Sequence, residues 1–208
     1  MGLVKLNDRG VRSATAFGSV SGGGSFTFIK KVTASSSATL DFVDGTSDVV
    51  LDSTYKEYMF TFKDIHPATD LTNFLFQVDT GTNTSYNQTV TNSFFQAYHN
   101  EAGTATGQMD EYLSSHDEAQ TTNFIDFSHY IGNGNDECIA GTLHLFNPSS
   151  GTFVKHFMSR MNSYNGNDYT SDYYNAGYFN TTTALTRVQF KMTDGDIDAG
   201  TIKLYGVT

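Results

Sequence analysis

Side chains that could perform acid–base or metal chemistry are plentiful in this chain, but their spacing matches neither a known acid–base motif nor a known metal-binding motif. The six histidines include no pair at i, i+4 within a helical pattern and no HExxH sequence. His144 and His156 lie on the two arms of a predicted hairpin and would face each other, and hydrogen bonding is the ordinary role of a histidine in a sheet. The run from Asp194 to Gly200 repeats acidic side chains at alternate positions, as a calcium loop does, but Tyr205 stands where that loop needs a bidentate Glu. We interpret the run as an acidic hairpin turn and predict no metal site.

Carboxylates suited to glycoside hydrolysis are also missing as a defined pair. Such an enzyme holds two carboxylates about 5–10 Å apart in a cleft, whereas the adjacent acids here crowd into the polar stretch 100–120, which we predict to be a long surface loop. The chain contains no GxSxG, P-loop or GxGxxG sequence. Its single cysteine, Cys138, excludes an internal disulfide and a cysteine-based zinc site. We therefore expect a protein without catalytic residues and without a cofactor.

A cluster of tyrosines is the feature most typical of a binding surface. Five tyrosines fall within fifteen residues and are interleaved with asparagines. Tyrosine offers large, rigid contact area with a hydroxyl group, and asparagine adds adaptable hydrogen bonding. The segment could contact another subunit, bind a glycan or receptor, or lie in the core, and the sequence leaves these three roles open. The predicted contact surface comprises Tyr164, Tyr169, Tyr173, Tyr174 and Tyr178.

Charge is distributed unevenly. Residues 1–31 hold five basic side chains against Asp8 alone, although the whole chain has a formal charge of −10. Three successive glycines, residues 22–24, then interrupt the chain, and such a run sustains neither helix nor strand. We predict an extended N-terminal arm and hinge over residues 1–25 and a folded domain over residues 26–208. The proposed anchor in the arm, which would dock on an acidic partner surface, comprises Lys5, Arg9 and Arg12.

The body has the composition of a β-protein. Thr, Ser and Asn make up about three residues in ten, Phe and Tyr number 17 and 12, and only 16% of residues are charged. Ten to twelve short extended segments alternate with turn signals, one of them from Phe124 to Ile131. This pattern predicts an all-β fold of two antiparallel sheets, a jelly-roll-like sandwich, with a barrel as the alternative.

The clearest hairpin runs from Cys138 to Phe146 and returns from Thr152 to Met161. Pro148 is expected at the second position of a type I turn, and Gly151 at a position of positive φ. Because both faces of the hairpin carry apolar residues, we predict that it is central in its sheet and covered on both sides.

The sequence also restricts the cellular location and the partners that we expect for the protein. It contains no run of 18 apolar residues and no apolar stretch near its start, so we expect neither membrane insertion nor secretion by a signal peptide. Its acidic body would repel the phosphates of nucleic acids. We therefore expect synthesis in a cytoplasm and protein partners, with nucleic acid excluded.

Seven distinctive strings of residues lie at 2–12, 17–24, 55–60, 65–69, 145–150, 153–157 and 197–206. These strings resemble a family of structural proteins from marine tailed bacteriophages, cyanophages among them. The resemblance covers essentially the whole chain, but its motifs carry no chemical mechanism and supply no catalytic residues.

The resemblance implies a virion component exposed on the head or the tail. We accordingly expect a capsid decoration or tail-appendage protein, located in the virion and contacting other capsid or tail proteins. Because virion appendages are commonly three-fold, we expect a homotrimer. The alternative is a carbohydrate- or receptor-binding module of a tail fibre, which would contact a host surface glycan.

Overall fold

The computed structural model describes residues 25–104 and 115–208, and within them it contains twelve β-strands and no helix. The predicted anchor residues Lys5, Arg9 and Arg12 lie outside the described residues, as does most of the predicted arm. The strands are β1 (Phe26–Thr33), β2 (Leu40–Val43), β3 (Glu57–Pro67), β4 (Phe74–Thr80), β5 (Val90–Asn100), β6 (Ala119–Thr121), β7 (Ile125–Asp126), β8 (Ile139–Phe146), β9 (Lys155–Asn165), β10 (Tyr169–Phe179), β11 (Leu185–Met192) and β12 (Ile197–Val207).

The strands form two antiparallel sheets packed as a sandwich, which confirms the predicted fold class. The large sheet has eight strands in the order β1-β12-β3-β8-β9-β10-β5-β6, and the small sheet has four in the order β2-β11-β4-β7. Most neighbours in the large sheet are distant in sequence, as for β12 between β1 and β3. In the described residues, no helix is long and apolar enough to cross a membrane.

Phenylalanine rings fill the space between the sheets. Phe76 and Phe127 stack with ring centroids 4.4 Å apart, and Phe190 packs edge-on against Phe60 and Phe62. These five rings are buried, and complete burial of each Phe contributes roughly 1.5–3 kcal/mol to folding. The core thus accounts for most phenylalanines of the described residues but for only a few of the tyrosines.

The two outer faces of the sandwich differ. Six of the seven residues of β4, in the small sheet, are buried, because the segment before β5 covers this strand from outside. There the buried Gln77 side chain donates to the carbonyl oxygens of Gln88 and Asn123, at 3.1 and 2.7 Å. In β9, in the large sheet, buried and outward-facing residues alternate. The outer face of the large sheet is therefore the open one.

The predicted hairpin is present as β8–β9 and lies at the centre of the large sheet. The expectation that both of its faces are covered was wrong, since Met158 is 57% exposed on the outer face. In its loop, the amide of Ser150 donates to the carbonyl oxygen of Asn147 at 3.0 Å, which places Pro148 at the second position of the turn as predicted. Positive φ occurs at Asn147 (47°), whereas Gly151 does not adopt it.

Two other local predictions need correction. The segment from Phe124 to Ile131 is a strand only at β7, with an isolated bridge at Ile131. Within the predicted loop 100–120, β6 begins at Ala119 and forms an edge of the large sheet. Residues 105–114 of that loop lie outside the described residues.

Candidate interaction surface

The tyrosine segment predicted as a contact surface forms the β9–β10 hairpin, and strand alternation divides its tyrosines between the two faces. Tyr173 is 1% exposed and points into the core, which corrects its predicted role as a contact residue. Tyr169 has the same inward parity but lies at the end of β10, where its half-buried ring packs edge-on against Tyr98 at 5.3 Å. Tyr164, Tyr174 and Tyr178 have outward parity and are half-buried.

Tyr173 is held by hydrogen bonds as well as by packing. Its hydroxyl donates to the carbonyl oxygen of His129 at 2.6 Å and accepts a bond from the hydroxyl of Ser163 at 3.2 Å. Its ring lies 5.9 Å from that of Phe94. This tyrosine joins the large sheet to the segment after β7 and is a structural residue.

Register across seven strands brings the outward residues of the large sheet into rows. We call these rows the outer aromatic face, because aromatic and thioether side chains recur along them. Strands lie about 4.8 Å apart, so seven strands span about 29 Å, and alternate residues put the rows about 7 Å apart. The first row is Phe95, Tyr174, Arg160, Thr142, Thr61, Lys203 and Lys31; the second is Ser93, Ala176, Met158, His144, Met59, Tyr205 and Phe28. The third contains Thr91, Tyr178 and His156 at one end and Phe146, Glu57, Val207 and Phe26 at the other.

This face exposes large apolar side chains. Phe26, Phe28 and Phe95 are 52%, 56% and 52% exposed, and Met158 is 57% exposed. Met158, His144, Met59, Tyr205 and Phe28 follow one another along the second row, and apolar patches on a folded domain commonly mark an interaction site. Three rows cover roughly 600 Å², which approaches the roughly 800 Å² that each partner contributes to a standard protein interface.

One end of the face is a rigid stack. Phe95 and Tyr174 lie parallel, with ring centroids 4.7 Å apart and an interplanar angle of 6°. The Arg160 guanidinium carbon lies 5.1 Å from the centroid of the Tyr174 ring, and Arg160 forms a forked contact with Asp172, with Nη2 2.6 Å from Oδ2. Beside it, small residues on β8 leave a shallow depression of about 340 Å³ lined by Ala140, Thr142, Arg160, Asn162 and Asp172, among others. Pre-ordered aromatic rings of this type lose little conformational entropy on binding.

Tyr164 lies towards the far end of β9, away from the exposed phenylalanines. Its hydroxyl donates to Asp168 at 3.1 Å, and this bond, more than any other contribution, raises the pKa of Tyr164 to about 12. The phenol is therefore neutral at physiological pH. Tyr178 lies in the third row, with its ring centroid 6.0 Å from that of His156.

Among the described residues, no group of three or more potential metal ligands occurs. The prediction that His144 and His156 face each other was wrong. His144 is opposite Met158, and its Nδ1 lies 2.5 Å from Oε1 of Glu57. The interpretation of residues 194–200 as a hairpin turn was wrong. The run connects β11 to β12, which lie in different sheets and do not pair, and its last four residues already belong to β12.

A buried histidine, His116, and a half-buried one, His129, lie together on the inner side of the large sheet. Nδ1 of His116 lies 2.8 Å from Oδ2 of Asp126, and the rings of His116 and His129 lie 4.9 Å apart. Burial, with the neighbouring His116 as a smaller cause, lowers the pKa of His129 to about 4. A neutral His129 next to the His116–Asp126 contact secures the chain after β7 against the sheet.

The sequence-based prediction of a contact surface missed about half of the outer aromatic face. Phe26, Phe28, Met59 and Tyr205 lie in segments predicted as strands, but no face was assigned to them. A period of two was available as a signal in each strand. What it could not supply was the order of strands that makes these residues neighbours.

Comparison with known proteins adds no assignment: no family model, curated protein or solved structure matches this chain.

Proposed function

We propose that this protein is a non-enzymatic structural component of a bacteriophage virion, a capsid decoration or part of a tail appendage. It would bind its neighbours through the outer aromatic face. The single observation that supports this role is the row of aromatic and thioether side chains along the outer face of the large sheet, several of which are more than half exposed. The resemblance to virion proteins, which rests on sequence strings alone, supplies the setting.

Self-association is part of the proposal. Antiparallel sheets that end in open edges tend to pair with other chains, and the large sheet ends in β1 and β6. A closed, symmetric oligomer can bury such edges in contacts between copies without growing into an open-ended polymer. We therefore propose a homotrimer that also contacts other capsid or tail proteins in the virion.

The test compares two face variants with a matched control. Phe95→Ser and Met158→Ser each remove one exposed apolar side chain from the outer aromatic face, whereas Phe153→Ser removes one that is 67% exposed in the β8–β9 loop. We expect both face variants to keep the wild-type melting temperature, to dissociate in light scattering and to be depleted from purified particles. Phe153→Ser should behave as wild type.

Two results would contradict parts of the proposal. If the face variants and Phe153→Ser enter particles to the same extent, the face is not the contact. If cryo-electron microscopy of particles lacks density for the chain, the virion role itself is wrong.

The second candidate function is a carbohydrate- or receptor-binding module of a tail fibre. The parallel Phe95–Tyr174 stack with polar Asn162 nearby favours it, because sugar rings pack on aromatic faces while their hydroxyls bond to amides and carboxylates. This candidate uses the same face and predicts binding to a host surface glycan.

A further inference from the structure

Two lysines face each other directly on the outer aromatic face. Lys31 on β1 is the register partner of Lys203 on β12. Like charges directly opposite in an antiparallel pair are destabilising. Neither lysine has an acidic partner in the described part of the chain, whereas Lys63 on the next strand contacts Asp64 at 3.2 Å. The pair therefore presents unneutralised positive charge on a protein whose net charge is −10.

An exposed aromatic pair adjoins these lysines in the next row. Phe28 and Tyr205 are register partners, and their rings meet edge-on with centroids 5.8 Å apart. Lys203 and Tyr205 are two residues apart on β12 and share the outer face, about 7 Å from each other along the strand. Thr61 is the other cross-strand neighbour of Lys203 and adds a hydroxyl group. Aromatic surface, cationic charge and a hydroxyl thus converge at one edge of the sheet.

We propose that this corner binds an acidic saccharide, with a sugar ring against Tyr205 and Phe28 and its carboxylate between Lys31 and Lys203. An anion there would relieve the repulsion between the two lysines. The apolar face of a sugar ring would cover aromatic area that is otherwise exposed to water. The inference rests on the second candidate function, glycan binding, and adds the class of glycan and the residues that select it.

The strand itself offers a matched control. A register shift between Phe28 and Lys30 puts Lys30 opposite Leu204, whose side chain is buried in the core, so Lys30 does not share the face of Lys31. Lys30→Gln and Lys31→Gln remove the same charge from adjacent positions. Only Lys31→Gln changes the proposed site.

The experiment titrates the full chain by calorimetry with a panel of acidic oligosaccharides: oligogalacturonate, alginate, hyaluronan and sialyllactose. We expect at least one to bind, and we expect its methyl ester, which has the same rings without the charge, to bind at least tenfold more weakly. Lys31→Gln, Lys203→Gln and Tyr205→Ala should each weaken binding about tenfold. Lys30→Gln should match wild type, and added salt should weaken the wild-type complex.

Several results would overturn the inference. These are the absence of binding to every member of the panel, equal binding of acid and ester, or equal effects of Lys30→Gln and Lys31→Gln. Dissociation of the oligomer by Lys31→Gln and Lys203→Gln, without loss of saccharide binding, would assign the lysines to a subunit contact instead. Particle incorporation is a separate readout, so a protein that enters particles but binds no acidic saccharide refutes this inference and leaves the virion role standing.

Discussion

At the scale of single residues, two neighbouring tyrosines have opposite roles. Tyr173→Ala would remove a buried ring and its bond to His129, so we expect a loss of about 3–5 kcal/mol in the free energy of unfolding. Tyr174→Ala removes a ring from the outer aromatic face, so the free energy of unfolding should change by less than about 1 kcal/mol. Urea unfolding measures both. Similar losses for the two variants would mean that the outer ring is as structural as the inner one.

The sequence contained part of this distinction but could not complete it. The adjacent pair Tyr173–Tyr174 must point to opposite faces if the segment is a strand, because the side-chain period is two. Which of the two faces is inside depends on the pairing of Tyr173 with Gln96 on β5 and with Met161 on β9. β5 is remote in sequence, and the sequence did not assign a face to Met161. Pairwise register is a tertiary property, so the segment could be predicted as a contact surface only as a whole.

At the scale of elements, a buried lysine connects the β8–β9 loop to the chain after β10. Lys155 is fully buried, and its Nζ donates to the carbonyl oxygens of Ser150, Phe153 and Thr181 at 2.7, 2.7 and 3.2 Å. In Lys155→Met, three carbonyl groups would lose a charged donor. We expect the free energy of unfolding to fall by about 3–5 kcal/mol.

The control for that change is Lys56→Met, because Lys56 is exposed and its side chain has no hydrogen bond or ion pair in the described residues. We expect its stability to differ from wild type by less than about 0.5 kcal/mol. Thermal unfolding of both variants separates them. A Lys155→Met protein as stable as Lys56→Met would show that the carbonyl groups find other donors.

Long alternating strands were predictable and short ones were not. β3 and β9 have eleven residues each and repeat their burial pattern over most of that length. β6 and β7 have only three and two residues. They exist because β5 and β4 offer hydrogen-bonding partners, which no local pattern records. The outer aromatic face, assembled from seven strands, was beyond prediction for the same reason.

At the scale of the whole molecule, the described strands account for the fold without the start of the chain. All twelve strands and the core cluster lie between residues 26 and 208. The basic residues Lys5, Arg9 and Arg12 precede them, in a chain whose remainder is acidic. From this separation of charge we predict a division of roles, in which the sandwich supplies stability and residues 1–24 supply attachment.

Deleting residues 1–24 tests that division. We expect the truncated protein to keep its melting temperature, because no described core residue is removed, and to be absent from purified particles, because the proposed anchor is lost. A full-length variant with Lys5→Gln, Arg9→Gln and Arg12→Gln isolates the contribution of charge. If attachment is electrostatic, that variant should be depleted nearly as strongly as the truncation. Incorporation of the wild-type protein should then fall as salt increases, whereas the residual incorporation of the variant should change little. Normal incorporation of the truncated chain would instead place the whole attachment on the sandwich, with the outer aromatic face as its contact.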